Sequence, residues 1–200
     1  MPIVGSFAGA SARAYGLGAG GVAIGDFESI STVTVGTATA TVTFSSIPAT
    51  FTHLQIRASY QTSRVTYPLD KIFIRFNSDS GSNYSCHNVK GDGSSASAGA
   101  ENSTQIVDAD SSSTTAASGG LVFGPLIMDI LDYANTNKYK TIRMLKGFDT
   151  NGTVATYGGR VGLISGNWRN TNAITSVTFT VDNAANYSAN SKFSLYGIKG

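Results

Sequence analysis

The chain has 200 residues, 41% of them hydrophobic and 10% aromatic, so it is long enough and apolar enough to bury one substantial core. Charged residues make up 13% of the chain, about half of the usual ~25%. The net charge is +2 and the Lys and Arg residues are scattered, which excludes the clustered basic surface of a nucleic-acid or anionic-membrane partner. No stretch is long and apolar enough to span a bilayer.

The first 24 residues differ from the rest of the chain, because they are rich in glycine and alanine and show no strand pattern. We predict an extended N-terminal arm at 1–24 and a single domain at 25–200. Phe7, Arg13, Tyr15 and Leu17 are larger than a spacer needs, so we take them as candidate contacts of the arm with another subunit. The alternative for this segment is a disordered terminus.

The cysteine count and the N-terminal sequence indicate in which cellular compartment the protein is made. Cys86 is the only cysteine, so an internal disulfide is excluded and nothing indicates an oxidising compartment. A signal peptide has a basic stretch followed by a sustained apolar run, and the first residues show neither. We therefore expect synthesis in the cytoplasm.

From residue 27 onward the apolar residues recur with a period of two. Strands are predicted at 27–35 and 39–44, joined as a hairpin through Gly36. The pattern is clearest at 53–60, where alternate residues are apolar and face one side of the sheet. Further strands are predicted at 71–76 and 84–89, the second returning along the first. Residues 91–120 are predicted to form a surface excursion with one short strand at 105–107.

The second half continues the pattern. A buried strand is predicted at 126–133, paired in a hairpin with 139–145, and more strands at 157–168, 174–181 and 193–198. The last strand runs into the C-terminus, where we expect it to complete a sheet without a tail. About ten short strands and no confident helix predict an all-β fold, an antiparallel jelly roll or β-sandwich.

Candidate chemical groups are few, and we predict no catalytic residue, no metal ligand set and no cofactor. His53 is predicted to be a solvated surface side chain, and Cys86 a core residue that faces away from its neighbour His87. Asn77, Asp79, Gly81 and Asn83 have some character of a calcium loop, but their spacing favours a hairpin turn. Four aromatic residues suit either a sugar-stacking groove or, preferably, the core: Tyr133, Tyr157, Trp168 and Tyr187.

Three phrases of the chain, residues 46–57, 130–143 and 193–200, carry a resemblance, together with the shorter stretches 77–84 and 91–95. They are similar to a family of virion structural proteins of tailed phages, especially those infecting cyanobacteria. The resemblance extends over almost the whole chain from about residue 25, and its motifs are structural rather than catalytic.

The resemblance implies a non-enzymatic jelly-roll protein that decorates, or cements, the outer surface of the phage head. It implies a homotrimer that binds the major capsid protein and stabilises contacts between capsomers. Phe7, Arg13, Tyr15 and Leu17 would then be capsid or subunit contacts, although we chose them for their size and not from the family. The alternative is a receptor- or glycan-binding tail module that uses loops such as 91–120.

Overall fold

The computed structural model describes residues 26–65, 69–108, 112–114, 121–150 and 158–200. These ranges are all-β and form antiparallel strands without a helix, which confirms the predicted fold class. The strands are β1 Phe27–Thr34, β2 Thr41–Phe44, β3 His53–Tyr60, β4 Leu69–Asp70, β5 Ile72–Phe76, β6 Tyr84–Gly91, β7 Ala96–Ser103, β8 Ile106–Val107, β9 Ser112–Ser113, β10 Gly124–Leu131, β11 Lys140–Asp149, β12 Gly159–Trp168, β13 Val177–Val181 and β14 Lys192–Ile198.

Two main sheets form a β-sandwich. One has eight strands in the order β1-β14-β3-β10-β11-β12-β6-β7, and the other has four in the order β2-β13-β5-β8. Strands β4 and β9 form a separate short pair. The last strand, β14, lies between β1 and β3, which makes it an interior strand of the larger sheet. The sandwich is as expected, whereas the jelly-roll connectivity specifically stays a prediction.

The core lies between the two sheets. In β3, every second residue is buried, as the alternation predicts, and the same holds for β10, β11 and β12. Aromatic contacts join the sheets: the rings of Phe76 and Trp168 lie 5.6 Å apart, and those of Phe179 and Phe193 5.5 Å apart. This period-two pattern gives each strand of the larger sheet an inner face toward the core and an outer face away from it.

Three predictions about pairing and extent are wrong. Strands β1 and β2 do not form a hairpin, because β1 pairs with β14 and β2 with β13 in the other sheet. Strand β6 does not return along β5, since its partners are β12 and β7. Residues 91–120 are not a loop with one short strand, because β7 is an eight-residue edge strand within them. By contrast, the β10–β11 hairpin is confirmed.

Two lysines of β11 are buried on its inner face. Lys146 donates to the carboxylate of Asp108 and lies 3.2 Å from the hydroxyl of Tyr60. Burial alone would lower the pKa of Lys146, but Asp108 and Tyr60 outweigh it and the pKa is raised. Lys140 donates to three backbone carbonyls, those of Asn135, Lys138 and Thr171, which satisfies its ammonium.

Candidate protein-contact surface

The outer face of the larger sheet carries aliphatic side chains in a line across four adjacent strands. Ile127 of β10 is opposite Leu145 of β11, Leu145 is opposite Leu163 of β12, and Leu163 is opposite Val89 of β6. Their side chains are 41%, 50%, 43% and 47% exposed. We call Ile127, Leu145, Leu163 and Val89 the apolar row.

The apolar row is widened on one side. Val161, 57% exposed, lies two residues before Leu163 on the same face of β12, and Pro125 lies two residues before Ile127. Gly147, between them on β11, has no side chain to fill the space. A shallow groove of about 470 Å³ results. A contiguous apolar patch of this kind on a sheet face is typical of a surface that another protein covers.

On the other side of the apolar row, the outer face is polar. The guanidinium of Arg143 lies 2.8 Å from the carboxylate of Asp129, which also accepts a hydrogen bond from the Gln55 amide at 2.8 Å. These charges are therefore matched within the sheet. Contact with the apolar row would not require an opposite charge on the partner.

At the β1 edge of the sheet, the outer face carries an aromatic pair. The rings of Phe27 and Tyr196 are stacked with centroids 4.7 Å apart, and the guanidinium of Arg57 lies 5.2 Å from the Phe27 ring. Arg57 is opposite Ile127 on β10. Arg57 therefore lies between the aromatic pair and the apolar row on the outer face.

A polar cleft of about 490 Å³ lies at the start of β12, next to the β6–β7 turn. Asp92 accepts hydrogen bonds from the backbone N–H groups of Ser95 at 2.8 Å and Ser94 at 3.0 Å, and these bonds lower the pKa of its carboxyl. The guanidinium of Arg160 lies 3.8 Å from Asp92. The cleft offers groups that can hydrogen-bond a polar ligand, but its charged groups already face each other.

The cysteine lies in the core, and the two histidines lie on the outer face of the larger sheet, outside the apolar row and the polar cleft. Cys86 is buried and donates its thiol to the Val107 carbonyl, while His87 is exposed on the opposite face, as predicted. Burial raises the pKa of the Cys86 thiol. His53 is only partly exposed, because its Nδ1 accepts the backbone N–H of Asp132 at 3.0 Å.

The oxygen-rich turn after β5 is occupied by its own hydrogen bonds. The Asp79 carboxylate accepts from the Asn83 amide, the Gly81 N–H and the Trp168 indole N–H, which lowers its pKa. The Asn77 side-chain oxygen accepts the N–H of Thr175. The turn connects the two sheets, so the prediction of a hairpin is wrong.

The aromatic residues divide as follows. Tyr133, Trp168 and Tyr187 are buried in the core, which confirms the preferred interpretation. Tyr157 lies outside the described residues, as do the candidate arm contacts Phe7, Arg13, Tyr15 and Leu17.

No family model, no curated protein and no solved structure matches the chain. Among the described residues, no three His, Cys, Asp or Glu side chains come together as a metal site would require. Within those same ranges, no helix is long and apolar enough to cross a membrane.

The apolar row was missed by the sequence interpretation, which took residues 126–133 as simply buried. A continuous apolar run is typical of a strand covered on both faces. In the described chain only one face of β10 is covered, and Ile127 and Leu131 are exposed on the other. The signal was therefore present in the sequence as apolar residues in both phases of β10, with Leu145 as the one large apolar residue in the outer phase of β11.

Proposed function

We propose that the protein is a structural component of a tailed-phage particle, a decoration or cement protein on the outer surface of the head. In this proposal it acts as a homotrimer, binds the major capsid protein and bridges neighbouring capsomers. The virion would be its location, after synthesis in the host cytoplasm. The proposal assigns it no catalytic step and no cofactor.

The observation that supports this proposal best is the apolar row. Ile127, Leu145, Leu163 and Val89 each expose nearly half of their surface on a flat sheet face. Covering that remaining surface would contribute about 1 kcal/mol per side chain. Such a contribution is modest for one side chain, but it is repeated in every copy, which suits the contacts that hold a repeated oligomer together.

The polar residues beside the row favour an uncharged protein surface as the partner over a highly charged one. Asp129 and Arg143 neutralise each other beside the row, and the whole chain has a net charge of only +2. A mainly apolar contact is also weakly sensitive to salt, unlike a contact between unlike charges. These properties suit a part added in many copies to a finished shell.

A cement protein stabilises a shell because it binds the assembled form and buries surface in doing so. Each copy that binds across a capsomer boundary stabilises the assembled shell relative to the separated one, because it binds only the former. Expansion of the shell or the pressure of packaged DNA would then have to break those contacts first. A stable contact of this kind buries about 800 Å² per partner, more than the apolar row offers, so the trimer would meet the capsomers through a wider surface.

The test is to remove the protein from heads and add it back. We expect purified protein to rebind the stripped heads at a stoichiometry that matches three-fold sites and to raise their resistance to heat. Binding to host cells or their polysaccharide, without affinity for heads, would overturn the proposal. Copy number per virion gives an independent check, since a cement protein would be present in hundreds of copies and a fibre in a few dozen at most.

A second candidate, a glycan- or receptor-binding tail module, is favoured by the polar cleft. The cleft contains Asp92 and Ser94 from the segment after β6, together with Arg160. Hydroxyl-rich ligands suit such hydrogen-bonding groups. Replacing Ser94 with Ala and Arg160 with Gln should abolish cell binding if this candidate is right and leave head binding unchanged if the cement proposal is right.

A further inference from the structure

The apolar row raises the question of which protein segment covers it, and the chain itself offers a suitable one. At least 25 residues precede Asp26, and they fall outside the described ranges. We infer that the row of each subunit is covered by the N-terminal segment, residues 1–25, of a neighbouring copy. This inference rests on the proposed oligomeric function and names the contact that holds the copies together.

The first step of the argument is where the segment joins the domain. The backbone N–H of Lys199 donates to the Asp26 carbonyl at 2.9 Å, which fixes the start of β1 beside the end of β14. Phe27 is opposite Ile198 and stacks on Tyr196, whose side chain shares the outer face with Gln55. The described chain therefore begins at the β1 edge of the larger sheet, with the Phe27 ring on the same face as the apolar row.

The second step is reach. Strand β6, which carries Val89, lies six strand positions from β1, or about 29 Å at the usual spacing of strands. A chain of 25 residues extends to about 80 Å. The segment is thus long enough to leave its own sheet and lie across the outer face of an adjacent subunit.

The third step is chemistry. Arg13 is the only charged residue in the segment, and Phe7, Tyr15 and Leu17 are separated by small residues. A segment of this composition places apolar side chains on an aliphatic surface without burying an unpaired charge. The row matches it, because Ile127, Leu145, Leu163 and Val89 form an uncharged line four strands wide.

The row of a neighbouring copy is a better site for the segment than the row of its own subunit, because polar residues separate the start of β1 from its own row. On its own sheet, the segment would first cross the outer faces of β14 and β3, where Ser194 and Arg57 precede Ile127. A neighbour can present its row directly. When each copy both donates a segment and receives one, three copies close into a ring, which is how head-to-tail contacts form a finite oligomer.

Disulfide trapping between separately purified full-length chains tests this inference. One chain carries Phe7→Cys, or in a second series Tyr15→Cys, and the other carries Leu163→Cys. The native Cys86 is buried and should not compete. After mixing, subunit exchange and mild oxidation with oxidised glutathione, we expect covalent dimers between the two chains.

The matched control replaces Leu163→Cys with Thr141→Cys, an exposed position on the same outer face but away from the row. The row position should give at least about tenfold more covalent dimer than the control, since docking raises the local concentration of the two thiols. An equal yield at both positions would overturn the inference.

Three further outcomes would also overturn it. No dimer from either Phe7→Cys or Tyr15→Cys would mean that the segment does not lie on the row. A link that forms only inside a chain carrying both cysteines would place the segment on its own subunit. Dimers of Leu163→Cys alone would mean that two rows pack on each other. If the chains rebind stripped heads in any of these cases, the proposed function stands without this inference; if they never bind heads, the proposed function fails.

Discussion

The two faces of β11 belong to one strand, but their residues differ in exposure and in the partners that they contact. On the inner face, Met144 is fully buried in the core and Lys146 is buried against Asp108. On the outer face, Leu145 is 50% exposed and Arg143 pairs with Asp129 in solvent. A lysine lies inside and a leucine outside. Residue type therefore does not decide the face. The partner does: Lys146 has Asp108 inside the domain, whereas the partner of Leu145 must come from another chain.

The largest effect should come from the contrast between two cations of β11, Lys146 on the inner face and Arg143 on the outer face. Lys146→Met would leave the buried Asp108 carboxylate without its ammonium, and we expect a loss of about 3–5 kcal/mol in the free energy of unfolding. Arg143→Met, three residues away on the outer face, removes an exposed pair and should cost about 0–1 kcal/mol. Urea unfolding at neutral pH measures both. Equal losses would mean that the inner pair is not buried as described.

The next largest change in the free energy of unfolding concerns two adjacent apolar residues of β11, Met144 and Leu145. Met144→Ala should destabilise the domain by about 2–5 kcal/mol, because it empties a core site between the sheets. Leu145→Ala should change the free energy of unfolding of the isolated protein by less than about 1 kcal/mol. Thermal unfolding of the two variants side by side checks this contrast. A large loss for Leu145→Ala that does not depend on protein concentration would show that the outer face is already covered within one subunit.

A smaller loss in the free energy of unfolding should appear at high pH, and it should come from a buried tyrosine on the inner face of the larger sheet. Burial raises the pKa of Tyr84 to about 12, above the ~10 of an unfolded tyrosine. The unfolded state then releases its proton first, so this stability is complete below about pH 10 and is lost as the pH rises toward 12, by about 2–3 kcal/mol. Urea unfolding at pH 8, 10 and 12 measures the loss.

The matched variant for the pH series is Tyr84→Phe, compared with Tyr139→Phe. Tyr84 is buried and its hydroxyl accepts the Phe76 N–H at 3.1 Å, whereas Tyr139 is 54% exposed. Tyr84→Phe should reduce the number of protons released on unfolding near pH 11 by about one. If Tyr139→Phe reduces it by as much, the shift does not come from the inner face.

Much of the fold could be predicted from local pattern. The alternation of β3 and the turn around Asn135 between β10 and β11 are visible in the sequence, and both are confirmed. The pairing of β1 with β14 could not be predicted, since it joins residues more than 150 positions apart and no local pattern encodes the partner of an edge strand. Strand β7 was missed because its alanine, serine and glycine residues are poor strand formers, and it forms by pairing along β6.

The candidate surface could be predicted only in part. Apolar residues in both phases of β10 indicate a strand covered on both faces, but they do not say that Leu145, Leu163 and Val89 align in register with Ile127. That alignment depends on the registers of three strand pairs, one of which, β12 with β6, joins strands far apart in the chain. The candidate arm residues were chosen by size alone, and their role stays a prediction.

The central claim is that the outer face of the larger sheet makes a protein contact in an assembled particle. The most direct measurement is rebinding to stripped heads by the double variant Leu145→Ser, Leu163→Ser, compared with Thr141→Ala, Ser165→Ala on the polar part of the same face. We predict that the first variant folds with nearly unchanged stability and loses head binding by at least about tenfold, a free-energy change of about 1.4 kcal/mol or more. The second should bind as the wild type does. Full binding by the first variant would contradict the account.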